Sequence, residues 1–511
     1  MERKDKRKKI IKNSLFFLLL FLLIFINMAS RWAVANFGEI SVEEIIFQLF
    51  SPIVTTATGT ITNFIKEVLL ISIIDTFIIF FVIKVIFKVI RDKDLLIGFT
   101  LRKSHVIRLP YLLMNYSIKI IVITLFAISS YTAIERFGVF DYARELVLSS
   151  TFIEENYVDP KSVKITPPEN KRNLIFIYVE SLEATFFSKD LGGGFDTNYL
   201  SSLTDLAKEN TNFSNNDKFG GAFHLDKTGY TAAGIISQTS GIPTKLSTSA
   251  VYSNFIEDFL PGDYSLGEIL KRDGYNQMFM MGSYKEYGNR GQYLDEHGNI
   301  KVYDYQTAIN KGKIDEDYYE WWGFEDAKLF TYAKEEITKL AKKNKPFSFS
   351  LLTADTHAYD GYVEPYCPLK YDEQLSSVIS CNANDIANFV YWIQDQDFYE
   401  NTTIIISGDH HHMNQAYFKD LDEGYERTIF NLFINSAVEE KNNKNRIFCT
   451  MDIFPTTLAS LGYTIEGDRL ALGTNLYSGK KTIMEKYSPR KVNEEFNKRS
   501  AFYNKKIING E

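Results

Sequence analysis

Three long apolar runs dominate the first 135 residues of the chain. They lie at about Leu15–Met28, Val68–Phe87 and Tyr111–Ile134, and each approaches the ~20 residues that a membrane-spanning helix needs. A signal peptide is the competing interpretation of the first run, because Ala33–Ala35 (AVA) resembles a cleavage site. The two later runs favour a membrane anchor with three transmembrane helices over residues 1–135.

The basic residues around these runs predict how the anchor is oriented. Residues 1–13 contain seven Lys or Arg and the segment 84–108 contains another seven, whereas the segment 35–67 contains only Lys66. Because short loops rich in Lys and Arg stay in the cytoplasm, the N-terminus and the 84–108 loop are predicted to be cytoplasmic. Three spans then place everything after the anchor outside the cytoplasmic membrane.

Beyond a connector at 136–169, the pattern changes to buried apolar runs that alternate with amphipathic segments at helical spacing. Such alternation predicts an α/β domain, with a central and mainly parallel sheet flanked by helices, over residues 170–480. The predicted strands are Asn173–Val179, Gln277–Met281, Phe347–Leu352, Thr403–Ser407 and Thr428–Ile434, and the predicted helices include Ala327–Lys342 and Asn384–Gln394.

The remaining residues, 481–511, form a basic C-terminal tail. From Lys480 onward it carries nine Lys or Arg and four Asp or Glu. The tail either rests against anionic lipid or forms a solvated helix that covers the domain, and the second interpretation is favoured.

Charge and cysteine content exclude some classes of function. A net charge of −7 argues against nucleic acid as a partner. The three cysteines, Cys367, Cys381 and Cys449, contain no C-x-x-C pair, so a cysteine zinc site is not expected. Cys367 and Cys381 are 14 residues apart, and both a disulfide and two free thiols remain open.

Polar side chains follow the predicted strands. Glu180 comes directly after the first strand, His357 lies just past the third, and Asp409 and His410 end the fourth. In parallel sheets, ligands bind at the carboxyl ends of the strands. Two carboxylates and one imidazole suit a divalent ion such as manganese or zinc.

Two further segments supply candidates for the same edge of the sheet. Ser283, Asn289 and Arg290 follow the second strand, and a segment at 226–237 contains Thr231 at a predicted helix start. The N-terminus of a helix favours a phosphate, and a threonine hydroxyl beside a divalent cation would be an activated nucleophile. The alternative is that Thr231 is only an N-cap. The residues alone therefore indicate a metal-dependent hydrolase or transferase.

Several whole segments also have a familiar form. NLIFIYVESLEATFF, GYTAAGIISQTSGIP, MGSYKEYGNRGQYLDEHG, LLTADTHAYDGYV, IISGDHH and MDIFPTTLASLGY occur in this order. They resemble the phosphoglycerol transferase and lipoteichoic acid synthase families, which belong to the sulfatase-like alkaline phosphatase superfamily. The resemblance covers roughly residues 170–480 and favours the branch that modifies periplasmic glucans.

The resemblance implies a role for each candidate residue. One divalent cation, most often Mn²⁺ with Mg²⁺ or Zn²⁺ as alternatives, would be held by Glu180, Thr231, Asp409 and His410. Thr231 would be the nucleophile, with Thr228 as a nearby alternative. His357 would contact the phosphate or move a proton. Arg290 would hold the glycerol phosphate, with Asn289 and Ser283 as weaker candidates. Asp355 and Asp360 leave a second metal site open.

The resemblance also implies a reaction and a location. The donor would be phosphatidylglycerol, and diacylglycerol would leave as a glycerophospho-threonine intermediate forms. The acceptor would be a hydroxyl of a cell-envelope glycan. The protein would be a multi-pass protein of the bacterial cytoplasmic (inner) membrane, in contact with membrane lipid, with a periplasmic or extracellular catalytic domain.

Three alternatives stay open at this point. The first is a phosphoethanolamine transferase, against which the low cysteine content speaks. The second is a phosphodiesterase of the same superfamily, with water as the acceptor. The third is an inactive membrane scaffold that binds glycan. A true sulfatase is disfavoured more strongly, because no C/S-x-P-x-R segment occurs.

Overall fold

The computed structural model describes residues 2–37, 62–89, 95–100, 104–109, 111–245 and 258–511. These residues form two compact units, which divide between Tyr142 and Ala143.

The first unit contains three helices that are long and apolar enough, by length and composition, to cross a membrane. These spans are Ile10–Ala35, Thr62–Val89 and Tyr116–Arg136, and they coincide with the three apolar runs of the sequence. The elements up to the unit boundary are α1 Glu2–Phe37, a π-helical stretch Ile65–Leu70, α2 Ile71–Val89, β1 Leu95–Thr100, β2 Ser104–Leu109, α3 Tyr111–Arg136 and α4 Val139–Val147.

The second unit is a mixed α/β domain. Its strands are β3 Ile165–Thr166, β4 Asn173–Val179, β5 Gly221–Phe223, β6 Asn276–Met281, β7 Lys301–Tyr303, β8 Phe347–Leu352, β9 Thr402–Gly408, β10 Thr428–Ile434, β11 Thr464–Ile465, β12 Arg469–Leu470 and β13 Gly473–Thr474. Its α-helices are α5 Phe152–Asn156, α6 Ser201–Glu209, α7 Thr231–Ser240, α8 Leu266–Arg272, α9 Arg290–Glu296, α10 Tyr305–Asn310, α11 Asp326–Ala341, α12 Gln374–Gln394, α13 Ile453–Ser460, α14 Ile483–Tyr487, α15 Pro489–Asn497 and α16 Ala501–Tyr503.

Seven strands form the central sheet in the order β5-β10-β9-β4-β8-β6-β7. The five strands from β9 to β7 run parallel, and β10 is antiparallel to both β9 and β5. The fold class predicted from the sequence is confirmed. The two three-residue edge strands, β5 and β7, were not predicted.

The middle strand β4 shows how the core forms on both faces of this sheet. Its seven residues are all buried, and successive side chains point to opposite faces. Phe176 and Tyr178 join the core on the side of α7 and α8, whereas Ile175 and Ile177 join the core on the side of α11 and α12. A strand covered on both faces explains the uninterrupted apolar run at this position.

Residues on either side of the predicted catalytic domain pack within the second unit. Strand β3 pairs with β11, and Ser150 Oγ donates a hydrogen bond of 2.5 Å to Glu495 in α15. The C-terminal tail therefore covers the domain with helices, which was the favoured interpretation. The domain boundaries at 135, 169 and 480 stay predictions.

Cys367 and Cys381 form a disulfide, with 5.9 Å between their Cα atoms. Cys449 is buried and unpaired. The bond closes a loop that precedes and enters α12. Of the two possibilities left open by the sequence, the structure contains the disulfide.

Candidate active site

Glu180, Asp409 and His410 meet at the carboxyl edge of the sheet. One ligand atom from each lies within 4.8 Å of the others, and all three side chains are buried. His410 Nε2 is 3.3 Å from Glu180 Oε1 and 3.5 Å from Asp409 Oδ2. The parallel pairing of Val179 with Gly408 brings the ends of β4 and β9 level, so the residues that follow these strands converge. We call these three residues the ligand group.

The chemistry of the ligand group fits a divalent cation. Asp409 Oδ2 is buried without a hydrogen-bond partner, and a buried carboxylate oxygen of this kind needs a cation or a proton. His410 Nδ1 lies 2.7 Å from the backbone oxygen of His411. Since a carbonyl can only accept, Nδ1 carries the proton and Nε2 offers its lone pair to a metal.

The pKa values show the same need for positive charge. Burial alone would lower the pKa of His410, but Asp409 and Glu180 outweigh it and raise the pKa to about 10. Burial, together with the negative charge of Glu180, raises the pKa of Asp409 to about 7. Burial also opposes the ionisation of Glu180, but His357 and His410 hold its pKa below the ordinary value. A bound cation would supply the charge that these groups otherwise obtain from a shared proton.

Thr231 lies at the ligand group. It is the first residue of α7, and the extended Tyr230 is the N-cap. Its Oγ1 donates to Glu180 Oε2 at 3.2 Å and lies 3.4 Å from His410 Nε2. The interpretation of Thr231 as an N-cap is therefore wrong. Thr228, the alternative nucleophile, is buried and donates its hydroxyl to the backbone oxygen of Leu225 at 2.9 Å.

A glycine lets α7 approach the end of β9. A Cβ added at Gly234 would lie 2.3 Å from the carbonyl oxygen of Asp409, which is inside contact distance. One turn further along, Gln238 Nε2 donates to the oxygen of Gly408 at 2.9 Å. These two contacts hold α7 against the end of β9, which two of the metal-binding candidates follow.

Ser181 organises the ligand group, and no sequence pattern had indicated it. Its φ of 56° is in the left-handed region, which a non-glycine residue rarely adopts. In this conformation its N–H donates to Asp409 Oδ1 at 2.8 Å, and its hydroxyl donates to Glu180 Oε1 at 2.8 Å. The strained backbone conformation of Ser181 thus allows this one residue to link Glu180, after β4, with Asp409, after β9.

Arg290 and Ser283 lie within hydrogen-bond distance of each other, and their role in holding a phosphate stays a prediction. Arg290 is only 6% exposed, and it donates to Ser283 Oγ at 2.9 Å and to the oxygen of Tyr287 at 2.8 Å. No ion pair to Arg290 occurs in the described part of the chain, so its charge is available to an anion. Asn289, in contrast, turns its amide to Gln292 in α9 at 3.3 Å.

His357 is held by its backbone and by aromatic rings. Its Nδ1 lies 2.9 Å from the oxygen of Ala358, so Nδ1 carries the proton and Nε2 remains to exchange one with a substrate. The Trp322 ring is 4.5 Å from the His357 ring and 5.3 Å from the Tyr287 ring, measured between centroids. Sequence reasoning assigned no role to either aromatic residue, because an aromatic ring within a motif does not show which side chain it contacts.

A second acidic group supports the loop that carries His357. Asp326 accepts hydrogen bonds from the N–H groups of Ala354 and Asp355 at 2.8 and 3.1 Å, and from Asn382 Nδ2 at 2.8 Å. Glu364 accepts from the N–H of Ala327 at 2.8 Å. We call Asp326, Asp355 and Glu364, all buried, the carboxyl cluster.

Protonation neutralises the carboxyl cluster. Burial, followed by the charges of Asp326 and Glu364, raises the pKa of Asp355 to about 11. Burial raises the pKa of Asp326 to about 7. Asp360 is exposed, and in the described residues it belongs to no group that converges on a cation. The second metal site considered for Asp355 and Asp360 therefore has no support in the geometry.

A buried ion pair fixes the segment after His410. Glu183 is fully buried and pairs with Arg427, whose Nε lies 2.9 Å from Glu183 Oε2. Glu183 Oε1 also accepts from the N–H of His412 at 2.9 Å, and Arg427 donates to the oxygen of His412 at 2.8 Å. The pair therefore holds the chain that leaves the metal-binding candidates, and neither residue was singled out from the sequence.

A hydroxyl at a helix N-terminus, beside two carboxylates and an imidazole at the edge of an α/β sheet, is typical of enzymes that act on phosphate or sulfate esters. The chain belongs to the sulfatase family, whose sequence pattern matches residues 172–463. The resemblance to this superfamily that the motifs indicated is thereby confirmed.

The chain is similar to curated phosphoglycerol transferases. It is 31% identical over 327 residues to phosphoglycerol transferase I of Salmonella choleraesuis (strain SC-B67), and 31% identical over 326 residues to phosphoglycerol transferase I of Escherichia fergusonii. Each match covers 61% of this chain and 40% of the relative. The chain thus spans about two fifths of the length of these relatives.

Among solved structures, the fold is similar to the integral membrane protein lipooligosaccharide phosphoethanolamine transferase A from Neisseria meningitidis. The TM-score is 0.50 at 11% sequence identity, and the match covers 88% of this chain and 84% of that chain. A likeness at this identity supports the fold alone.

Proposed function

We propose that this protein transfers phosphoglycerol from phosphatidylglycerol to a hydroxyl of a cell-envelope glycan, through a covalent intermediate on Thr231. The observation that carries the proposal is the position of the Thr231 hydroxyl, 3.2 Å from Glu180 and 3.4 Å from His410 at a helix N-terminus. The similarity to two phosphoglycerol transferases supports the choice of the transferred group.

Glu180, Thr231, Asp409 and His410 would hold one divalent cation in this proposal. Manganese is the first choice and magnesium or zinc are alternatives, because carboxylate, hydroxyl and imidazole ligands accept all three. When bound, the cation supplies positive charge that stabilises the phosphate oxygens and favours ionisation of a nearby hydroxyl.

In the first half of the reaction, Thr231 reacts as its oxyanion, the hydroxyl proton having been released to solvent, and Oγ1 attacks the phosphorus of the donor to form a new P–O bond. The bond from phosphorus to the diacylglycerol oxygen breaks, and His357 Nε2 donates a proton to that oxygen as it leaves. Arg290 binds the negatively charged phosphate and, with Ser283, fixes its orientation. Asn289 is a weaker candidate for contact with the glycerol. The products are diacylglycerol and a glycerophosphoryl ester of Thr231.

In the second half, an acceptor hydroxyl attacks the same phosphorus. The acceptor proton passes to His357 Nε2, the bond between phosphorus and Thr231 Oγ1 breaks, and the threonine is regenerated. His357 acts as an acid in the first half and as a base in the second, so one residue with one exposed ring nitrogen is sufficient for both steps.

The three apolar helices support a multi-pass location in a bacterial cytoplasmic membrane, with the catalytic domain on the periplasmic or extracellular side. Such an anchor would keep the site near the outer headgroup layer, where the phosphate of the donor lies. The boundaries proposed for this arrangement are an anchor at 1–135, a connector at 136–169, a catalytic domain at 170–480 and a tail at 481–511.

The test uses the purified full-length protein in detergent with manganese and a phosphatidylglycerol that carries a fluorescent acyl chain. Release of labelled diacylglycerol is measured with phosphatidylglycerol, with phosphatidylethanolamine, and with the metal removed by chelation. Metal-dependent release from phosphatidylglycerol alone is expected. Turnover of phosphatidylethanolamine instead would replace the proposal with phosphoethanolamine transfer. Diacylglycerol release that yields only free glycerol phosphate, with every hydroxyl acceptor tried, would indicate a phosphodiesterase. An absence of turnover with both lipids would favour the inactive scaffold.

A further inference from the structure

An open cleft of about 1390 Å³ lies beside the candidate active site. It is larger than the ~300–1,000 Å³ of a typical small-molecule site, so a chain of several sugar units fits it better than a glycerol headgroup does. His224 and His411 line the cleft on one side, and Arg490 and Asn493 line it on the other. We call this space the lateral cleft.

The wall formed by the two histidines adjoins the nucleophile and the ligand group. His411 directly follows His410, and its ring stacks on the ring of His224 with 4.6 Å between centroids. His224 in turn packs against the turn before Thr231, since a Cβ added at Gly229 would lie 2.7 Å from His224 Cε1. A ligand in the lateral cleft would therefore lie next to the residues that carry the reacting group.

The opposite wall comes from the C-terminal tail, which is bonded to the same turn. The N–H of Asp226 donates to Asn493 Oδ1 at 3.0 Å, and Asn497 Nδ2 donates to Asp226 Oδ2 at 2.8 Å. Both asparagines belong to α15, beyond the segment 172–463 that matches the sulfatase family.

The charge of the lateral cleft is opposite to that of the chain. Five basic and three acidic side chains line it, whereas the whole protein has a net charge of −7. The Arg446 guanidinium is neutralised by Glu485 at 2.7 Å, and Arg427 pairs with Glu183.

Three further basic residues, Lys481, Lys486 and Arg490, are exposed at the rim. The lysines have no ion pair in the described residues, and Arg490 has only the exposed Glu494 at 3.9 Å. The exposed acids Asp226 and Glu426 also line the cleft, so these three basic side chains exceed the two remaining acids by one, and the excess positive charge favours an anion.

We infer that the lateral cleft binds the acceptor, and that the acceptor is an anionic glycan. The inference rests on the proposed function, because it supplies the second substrate of the same site. The size of the cleft accommodates a chain, its histidine wall lies beside the turn that precedes Thr231, and its basic rim faces the incoming charge.

The test measures binding and donor turnover separately, with the full-length protein in detergent. The binding probe is a fluorescein-labelled oligogalacturonate, and a neutral dextran oligosaccharide of similar length is its uncharged counterpart. The cleft variant is Lys486→Ala with Arg490→Ala. The matched control is Arg499→Ala with Lys505→Ala, two exposed residues of the same tail that do not line the cleft.

Wild type and control are expected to bind oligogalacturonate, with weak binding of dextran. The cleft variant is expected to lose affinity by about tenfold, with the largest difference at low salt. Its release of diacylglycerol from phosphatidylglycerol without acceptor should equal that of wild type. A wild-type protein without this release would refute the proposed function, whatever the binding result.

Three results would overturn the inference. The first is equal affinity of the wild type and the cleft variant for oligogalacturonate. The second is binding of dextran as tight as that of the charged probe. The third is a cleft variant that keeps its oligogalacturonate affinity but loses binding to vesicles of phosphatidylglycerol and phosphatidylcholine in equal parts, which would identify the rim as a lipid contact.

Discussion

Two groups of buried acidic side chains lie at the carboxyl edge of the same sheet, and they differ in how their charge is satisfied. In the ligand group, Asp409 Oδ2 has no hydrogen-bond partner, and the lone pair of His410 Nε2 lies near this oxygen. In the carboxyl cluster, Asp326 accepts two backbone N–H groups and the amide of Asn382. Burial is similar in both groups, so burial alone does not identify a metal site.

The comparison of the two groups shows which feature identifies a metal site. A cation site needs oxygens that are left without donors and an additional neutral ligand that converges with them. The carboxyl cluster has neither, because protons and backbone N–H groups satisfy its oxygens. We therefore assign catalysis to the ligand group and loop support to the carboxyl cluster, and four predictions test this division.

The largest expected effect is on Thr231, the proposed nucleophile, whose hydroxyl lies at the ligand group. Thr231→Ala should lower diacylglycerol release by at least about 1,000-fold, because the attacking oxygen is removed. Thr231→Ser should retain part of the activity. Thr228→Ala is the matched control, since its hydroxyl is bonded to Leu225, and it should lose at most about tenfold. Activity that survives in Thr231→Ala would place the nucleophile elsewhere.

The second prediction compares the two groups by the same substitution. Manganese at ~100 times its dissociation constant should stabilise the wild type by about 2.7 kcal/mol, which raises Tm. Asp409→Asn should abolish this rise, because the orphaned oxygen becomes an amide. Asp355→Asn should keep it. A rise that is lost in Asp355→Asn and kept in Asp409→Asn would reverse the assignment.

The third prediction concerns the support of the His357 loop. Asp326→Ala leaves the N–H groups of Ala354 and Asp355 without their acceptor, which should cost roughly 3 kcal/mol of the free energy of unfolding. Displacement of His357 should lower kcat by about 10- to 100-fold, while the Tm rise on adding manganese persists. Thermal melts with and without metal, combined with kinetics, measure both effects. Unchanged kcat in a folded variant would contradict a positioning role.

The smallest expected effect is a change in pH dependence. The pKa values of Asp355, about 11, and Asp326, about 7, lie above the ordinary value of ~3.9. The folded state therefore binds more protons than the unfolded state above about pH 4, so stability falls as pH rises through this window.

The substitution Asp355→Asn introduces an amide that has the shape of the protonated acid but does not titrate. The folded state therefore loses one of the extra protons that it binds relative to the unfolded state. The decrease in Tm of the metal-free protein between about pH 5 and about pH 8 should become shallower in this variant. Asp360→Asn is the matched control, because Asp360 is exposed and should leave the slope unchanged. An equal slope in Asp355→Asn and wild type would show that Asp355 is ionised in the folded protein.

The sequence predicted the parts of the fold that are dictated by local pattern. The bounds of β4, β8 and β10 match the prediction residue for residue, because each is a short stretch rich in apolar residues that a polar residue or a proline bounds in the sequence. The three-residue strands β5 and β7 are too short to show a two-residue period. The start of α12 at Gln374 was placed ten residues late, because its first turns contain serines and Cys381.

The same distinction, between features set by local sequence and features set by distant contacts, applies to the candidate active site. Glu180, Asp409 and His410 were predicted because each directly follows a strand, and strand ends are readable from sequence. Ser181 and Asp326 were missed, since their importance depends on contacts with distant parts of the chain. Ser181, for example, bonds to Asp409, 228 positions away, and no local pattern records such a contact.

The central claim is that Thr231 carries the phosphoglycerol group between donor and acceptor. The most direct measurement is mass spectrometry of wild-type protein quenched in acid shortly after mixing with manganese and phosphatidylglycerol, without an acceptor. Our account predicts a glycerophosphoryl adduct on the peptide that contains Thr231, and no adduct when acceptor is in excess. Release of diacylglycerol with no adduct on this peptide, or with the adduct on another residue, would contradict it.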